Sequence, residues 1–153
     1  MELNGKPGWQ SNRGAAVLEL AFTLIFLLLL TIGVTEIGRG FWYYSALQTA
    51  VRNGARCLSN QKWVSSAPIA DCQTLVQNDA NSAGVWPQLT PANVKLYCDG
   101  GTCTWGSGTA PEYVTVQVED YSMQWIWAIT AGTPQAGNNV GLKVVATMPY
   151  MAD

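Results

Sequence analysis

The residue with the clearest chemical demand in this chain is Glu19. Its carboxylate lies inside the apolar run AAVLELAFTLIFLLLLTIGV (15–34), where the only other polar side chains are Thr23 and Thr31. A carboxylate a few residues inside a bilayer costs on the order of 2–3 kcal/mol or more unless it is paired. Glu19 must therefore sit close enough to the interface to reach water, or meet a partner supplied by another subunit. The second set of reactive groups is the four cysteines, Cys57, Cys72, Cys98 and Cys103, all of which follow the apolar run. Two uses compete for them. Disulfides fit delivery to an oxidising compartment, whereas a four-thiolate zinc site would normally open with a C-x2-C pair. The spacings here are C-x14-C, C-x25-C and C-x4-C, which favours disulfides and no metal.

What is missing also narrows the chemistry. Histidine is absent, which removes the commonest general base and metal ligand. The serines thus have no partner base, and Glu112, Glu119 and Asp120 form no recognisable catalytic arrangement. No enzymatic activity and no cofactor are expected. From Lys62 onward there are three Lys against seven Asp or Glu, a net charge of 3 − 7 = −4. A surface of that sign does not attract phosphates, so no nucleic acid contact is indicated.

These groups need elements to hold them. The run 15–34 is long enough, at ~1.5 Å per residue, to cross a ~30 Å hydrocarbon layer as a helix. The small residues Gly14, Ala15 and Ala16 come before the apolar core rather than after it, the wrong side for signal peptidase. The first fourteen residues, MELNGKPGWQSNRG, hold Lys6 and Arg13 with one Pro and three Gly, and read as an unstructured leader left in the cytoplasm. No proline interrupts Ala15 to Ser59, so one long helix over 15–58, membrane-spanning over 15–38, is predicted. Its outer half carries Tyr43, Leu47, Ala50, Val51, Gly54 and Leu58 at helical spacing. The small series Ala46, Ala50 and Gly54 suits close packing against a sheet within one subunit, or against a second subunit. Gly33, Gly38 and Gly40 place weak helix formers at the outer end of the span, and Phe41 to Tyr44 would mark the outer membrane interface.

The stretch RGAAVLELAF (13–22) resembles the processing signal of prepilin-like proteins: a basic residue, Arg13, then Gly14, four residues, and Glu19 before the apolar core. The following run is similar to the TadE-like group, with Glu36, Gly38 and Arg39, an aromatic cluster, then Ala50 and Gly54, Ala55, Arg56. The resemblance implies cleavage after Gly14, a new N-terminus at Ala15, and a Glu19 carboxylate that pairs with the free amine of a neighbouring subunit during assembly. The implied function is a structural minor pilin or pseudopilin that primes, caps or joins a Tad-type or related type IV pilus. Implied partners are the membrane, prepilin peptidase, other pilin or pseudopilin subunits, and an inner-membrane assembly platform. The implied location is the bacterial inner membrane, single-pass, with a cytoplasmic N-terminus and a periplasmic C-terminal domain, or an extracellular pilus. The competing reading is a signal-anchored extracytoplasmic binding domain that never enters a filament.

Residues 59–153 read as an α+β domain: a second helix over Asp71–Ala83, then strands in an antiparallel sheet packed on the outer half of the long helix. Val94–Tyr97 and Thr102–Trp105 flank the turn Asp99-Gly100-Gly101, which sets Cys98 opposite Cys103 and leaves Cys57 for Cys72. Four cysteines allow three pairings, of which this is one. Val114, Val116 and Val118 alternate with polar residues, as do Val140, Leu142, Val144 and Ala146, giving two half-buried strands. The segment YSMQWIWAI (121–129), with Trp125 and Trp127, is either core or an exposed aromatic edge.

Overall fold

An uninterrupted apolar and small-residue sequence without proline propagates as helix, and helix α1 runs Ser11–Ser59. The computed structural model describes residues 11–63, 69–106, 109–124 and 139–151. Trp125 and Trp127 lie outside the described residues. α1 starts before Ala15, so residues 11–14, expected to be unstructured, are helical instead. Pro7 is the nearest helix breaker, and from Ser11 onward no residue stops the helix from extending toward the N-terminus. The helix also passes unbroken through Gly33, Gly38 and Gly40.

The chain divides into two compact units, one ending at Gly38 and one beginning at Arg39. The first is α1 up to Gly38, and its apolar side chains from Val17 to Ile37 are exposed. Among the described residues α1 is the one helix long and apolar enough to cross a membrane. An apolar surface on all sides of a helix is stable in lipid and costly in water.

The second unit is built on the rest of α1. Helix α2 spans Ile69–Ser82, a single 3-10 turn covers Pro91–Asn93, and the strands are β1 Val94–Cys98, β2 Gly101–Thr102, β3 Tyr113–Gln124 and β4 Asn139–Pro149. The strands form one antiparallel sheet in the order β2-β1-β3-β4. The predicted α+β architecture with an antiparallel sheet is therefore the observed one. The stripe foreseen on α1 is the centre of its core: Leu47, Ala50, Val51 and Leu58 are fully buried with Val76 of α2 and Val114, Val116 and Val118 of β3. Tyr43 belongs to this core too. Of the aromatics at 41–44, Phe41, Trp42 and Tyr44 are exposed, whereas Tyr43 falls on the stripe face of the helix.

Three local features shape the sheet. Asp99 and Gly100 form the two-residue turn between β1 and β2 with φ of 49° and 79°, the left-handed pair that a tight hairpin requires. The Asp99 carboxylate accepts the backbone N–H groups of Glu112 and Tyr113 at 3.0 and 2.8 Å. Strand β2 is shorter than the predicted Thr102–Trp105, because Trp105 leaves the hairpin for the core and its indole donates to the carbonyl of Lys62 at 3.1 Å. In β3 the inward set Val114, Val116 and Val118 gives way to Tyr121 and Met123. The odd step is a bulge between Val118 and Tyr121, where Asp120 takes φ of 53°. Asn93 Nδ2 donates to the carbonyls of Glu119 and Asp120, both at 3.2 Å, so the bulged carbonyls have partners.

Candidate functional site

The residues singled out from the sequence separate into two groups on α1. Arg13, Gly14, Ala15 and Glu19 sit in its first three turns. Gly14, Ala15 and Glu19 are exposed, and nothing lies within 4 Å of the position a Cβ on Gly14 would take. An open glycine puts no side chain between the peptide bond and an approaching enzyme.

Glu19 is distinguished by what its polar neighbours do. Thr23 Oγ1 donates to the Glu19 carbonyl at 2.8 Å, and Thr31 Oγ1 donates to the carbonyls of Leu28 and Leu27 at 2.9 and 3.0 Å. Both hydroxyls are satisfied by their own helix, as Ser and Thr are in lipid. The Glu19 carboxylate has no such outlet and meets no hydrogen-bond or ion-pair partner among the described residues. It stands exposed between Val17, Leu18, Leu20 and Phe22, which are themselves exposed. A charge in that position is a demand for an external cation or donor.

The second group turns inward. Glu36 is buried. Arg39 Nη2 donates to the Gln124 carbonyl, and its guanidinium carbon lies 5.8 Å from the Tyr43 ring centroid. Gly54 and Ala55 are buried, and Arg56 is exposed. Gly38 is exposed with open space around it. The structure therefore places Arg39, Gly54 and Ala55 in the packing of α1 within the unit that begins at Arg39.

The sulfurs close as two disulfides. Cys57 joins Cys72 with Cα atoms 5.7 Å apart, and Cys98 joins Cys103 at 4.8 Å. The first links the end of α1 to the start of α2, and the second crosses the β1–β2 turn. With both pairs closed, the thiolates that a zinc site would draw on are occupied.

Several contacts escape sequence reading. Asn53 Nδ2 donates to Asp79 Oδ2 at 2.8 Å, and the Trp42 indole donates to the Ala83 carbonyl at 3.1 Å. Together with the Cys57–Cys72 bridge they align α2 antiparallel to α1. At the other end of the domain Trp63, Trp105 and Tyr150 form a cluster with ring centroids 4.7, 6.2 and 6.1 Å apart. Tyr150 Oη donates to the Gln61 carbonyl at 2.6 Å, Ser59 Oγ to that of Pro149 at 2.6 Å, and the Met151 amide to that of Ser59 at 3.1 Å. Beneath α1, the Tyr121 hydroxyl is buried with no hydrogen-bond partner among the described residues. Burial pushes this phenol far above the ordinary tyrosine range, the neighbouring Tyr43 adds to the rise, and Arg39 opposes it.

No curated protein and no solved structure matches this chain. Residues 14–56, from the glycine before the apolar run to the arginine before Cys57, match the family model described as TadE-like protein.

Proposed function

We propose that this chain is a structural subunit associated with a Tad-type or related type IV pilus, a minor pilin or pseudopilin that primes, caps or joins the filament. The observation that carries the reading is the Glu19 carboxylate: exposed on an apolar helix, without a partner among the described residues, and five positions after the glycine at which the TadE-like match begins. An intramembrane charge persists when a partner compensates it, and a free α-amine at Ala15 of a second subunit supplies one of opposite sign. Paired in a low dielectric, two such charges fix the register between helices even where their net stabilisation is small.

In this reading residues 1–14 are a leader removed by prepilin peptidase after Gly14, and Arg13 marks its basic end. The span 15–38 holds the subunit in the inner membrane with the N-terminus cytoplasmic. The domain beyond it folds in the periplasm, where two disulfides are stable, before handover to the assembly platform and neighbouring subunits.

The test is the intact mass and N-terminal sequence of the protein expressed with and without a prepilin peptidase. A mature chain beginning at Ala15 only in the presence of the enzyme is the expected result. A chain keeping residues 1–14 in both cells would sink the pilin reading and favour a signal-anchored binding domain.

A further inference from the structure

We propose that the open groove between α1 and the C-terminal turn of α2 is a binding site for a short neutral oligosaccharide. The groove lies wholly within the unit that begins at Arg39, and the inference does not rest on the pilus reading.

Helix α1 lines it with Trp42, Ser45, Thr49 and Asn53, which follow one another at steps of three, four and four residues and so share a face. Helix α2 meets that face with Asp79, Ser82 and Ala83, and the cavity between them holds about 340 Å³, near the small end of the ~300–1,000 Å³ range of ligand pockets. Ala50 is fully buried and Ala46 half-buried, so these two short side chains form the floor. Trp42 and Asn53 stand about 16 Å apart along the axis of α1 at ~1.5 Å per residue. That exceeds one pyranose ring and suits a disaccharide or trisaccharide.

The groups at both ends are fixed by bonds that leave binding capacity over. Trp42 Nε1 donates to the Ala83 carbonyl at 3.1 Å, yet the residue is 61 % exposed, so its polar edge is tied while its ring remains open. Asn53 Nδ2 donates to Asp79 Oδ2 at 2.8 Å, and both residues are half-buried. Asp79 Oδ1 and Asn53 Oδ1 meet no hydrogen-bond partner among the described residues. Between the ends, the hydroxyls of Thr49 and Ser82 donate to the carbonyls of Ser45 and Asp79, both at 3.0 Å. Their oxygens are thereby left as acceptors.

The groove thus offers several acceptors in succession and one apolar aromatic surface. Its complement is a ligand with many O–H donors beside apolar C–H faces, and a pyranose chain has both. A cationic side chain would suit the Asp79 carboxylate and the indole, but it delivers its donors from a single point and leaves the remaining acceptors unmatched. An acidic sugar is disfavoured by Asp79 and by the net negative charge of the chain after Lys62. Helix packing alone accounts for the Trp42–Ala83 and Asn53–Asp79 bonds, but not for a cavity of this size between them.

The test is saturation-transfer-difference NMR on the full chain in a polyoxyethylene detergent, whose head carries neither sugar nor ammonium. The probes are maltose, cellobiose, lactose and chitobiose, with butylammonium as the cationic control. At least one disaccharide is expected to receive saturation, strongest on the C–H protons of one ring face. Trp42→Ala should abolish the signal, and Asp79→Asn should weaken binding several-fold. Thr49→Trp, a substitution at an exposed position, should fill the groove and abolish the signal in a folded chain, which keeps the test open if Trp42→Ala does not fold. A response to butylammonium with none to the sugars overturns the inference and assigns the groove to a cationic side chain of a protein partner. Silence from every probe overturns it, as does sugar binding that persists in Thr49→Trp.

Discussion

Gly54 of α1 faces Val76 of α2 so closely that a Cβ on Gly54 would stand 2.3 Å from Val76 Cγ2. No real pair of carbons tolerates that separation, and Val76 is fully buried, so its side chain has nowhere to retreat. The same site lies 3.5 Å from Val116 Cγ1, which makes Gly54 the point where helix, helix and sheet converge. Gly54→Ala is expected to destabilise the domain by about 1–3 kcal/mol through overpacking, in excess of the roughly 1 kcal/mol that alanine gains in an isolated helix. Val76→Ala alone leaves a cavity and is also destabilising. The double variant should be more stable than the sum of the two, and denaturant unfolding of all four proteins measures that coupling. Strict additivity would mean that the helices move apart freely.

The disulfide between Cys57 and Cys72 closes a loop with a sequence separation of 15. Loss of chain entropy in the unfolded state predicts a contribution of about 3 kcal/mol for a loop of this length. Paired substitution of Cys57 and Cys72 by Ser should lower stability by about that amount. The pair Cys98 and Cys103, with a separation of 5, should matter less. Chemical denaturation of the two double variants orders them.

Tyr121 makes stability depend on alkaline pH. Its phenol is held neutral by burial, so its folded value lies above the value near 10 of an unfolded tyrosine. A raised folded value means that the stabilisation is complete below about pH 10 and declines as pH rises beyond it. While the unfolded state has released its proton and the native state has not, the loss reaches about 1.4 kcal/mol per pH unit. Tyr121→Phe should remove one proton's worth of this slope. It should also stabilise the domain by about 1 kcal/mol at neutral pH, since an unpaired buried hydroxyl is deleted. Unfolding curves at pH 8 and above, compared between the two proteins, check both statements.

Substitutions at Gly14 and Glu19 should part processing from assembly. Gly14→Val is expected to abolish removal of the leader, read as a mass corresponding to an uncut chain. Glu19→Gln should still be cut and still enter the membrane, with insertion made easier because a charge worth on the order of 2–3 kcal/mol at depth is removed. Its recovery in sheared filaments should fall. Equal recovery of Glu19→Gln and unsubstituted protein would rule out a pairing role for the carboxylate.

Much of the architecture could be read from local pattern. The stripe from Tyr43 to Leu58 follows the helical period, and Val114, Val116 and Val118 follow the strand period, because burial of one face imposes each repeat directly. Asp99-Gly100 signals its own turn through the left-handed conformations it must adopt. Glu19 stands out for a related reason, since an acid inside an apolar run contradicts its surroundings, whereas Arg13, Gly14 and Ala15 are singled out only by the resemblance to a processing signal. What escaped has no period. Asp120 forms the bulge in β3, and only its tolerance of positive φ hinted at that role. Trp63, Trp105 and Tyr150 come from three distant segments, and Asn53 meets Asp79 only once α2 has folded back. Glu36 is singled out only by the TadE-like resemblance, and no local pattern in the sequence signals that it is buried.

The contacts of Ser59 and Gln61 with Pro149, Tyr150 and Met151 have a temporal meaning. They join parts of the chain about ninety positions apart, and β4 adds the outer strand next to β3. A polypeptide crossing a membrane from its N-terminal side presents Cys57 and Cys72 together early, but cannot fasten Ser59 until the segment around Pro149 has followed. If this domain crosses a membrane as proposed, it waits, stapled and unfinished, with the apolar faces of α1 and β3 uncovered during transit. On the proposed orientation, any chaperone would act in that interval, after the first bridge forms and before the last strand arrives.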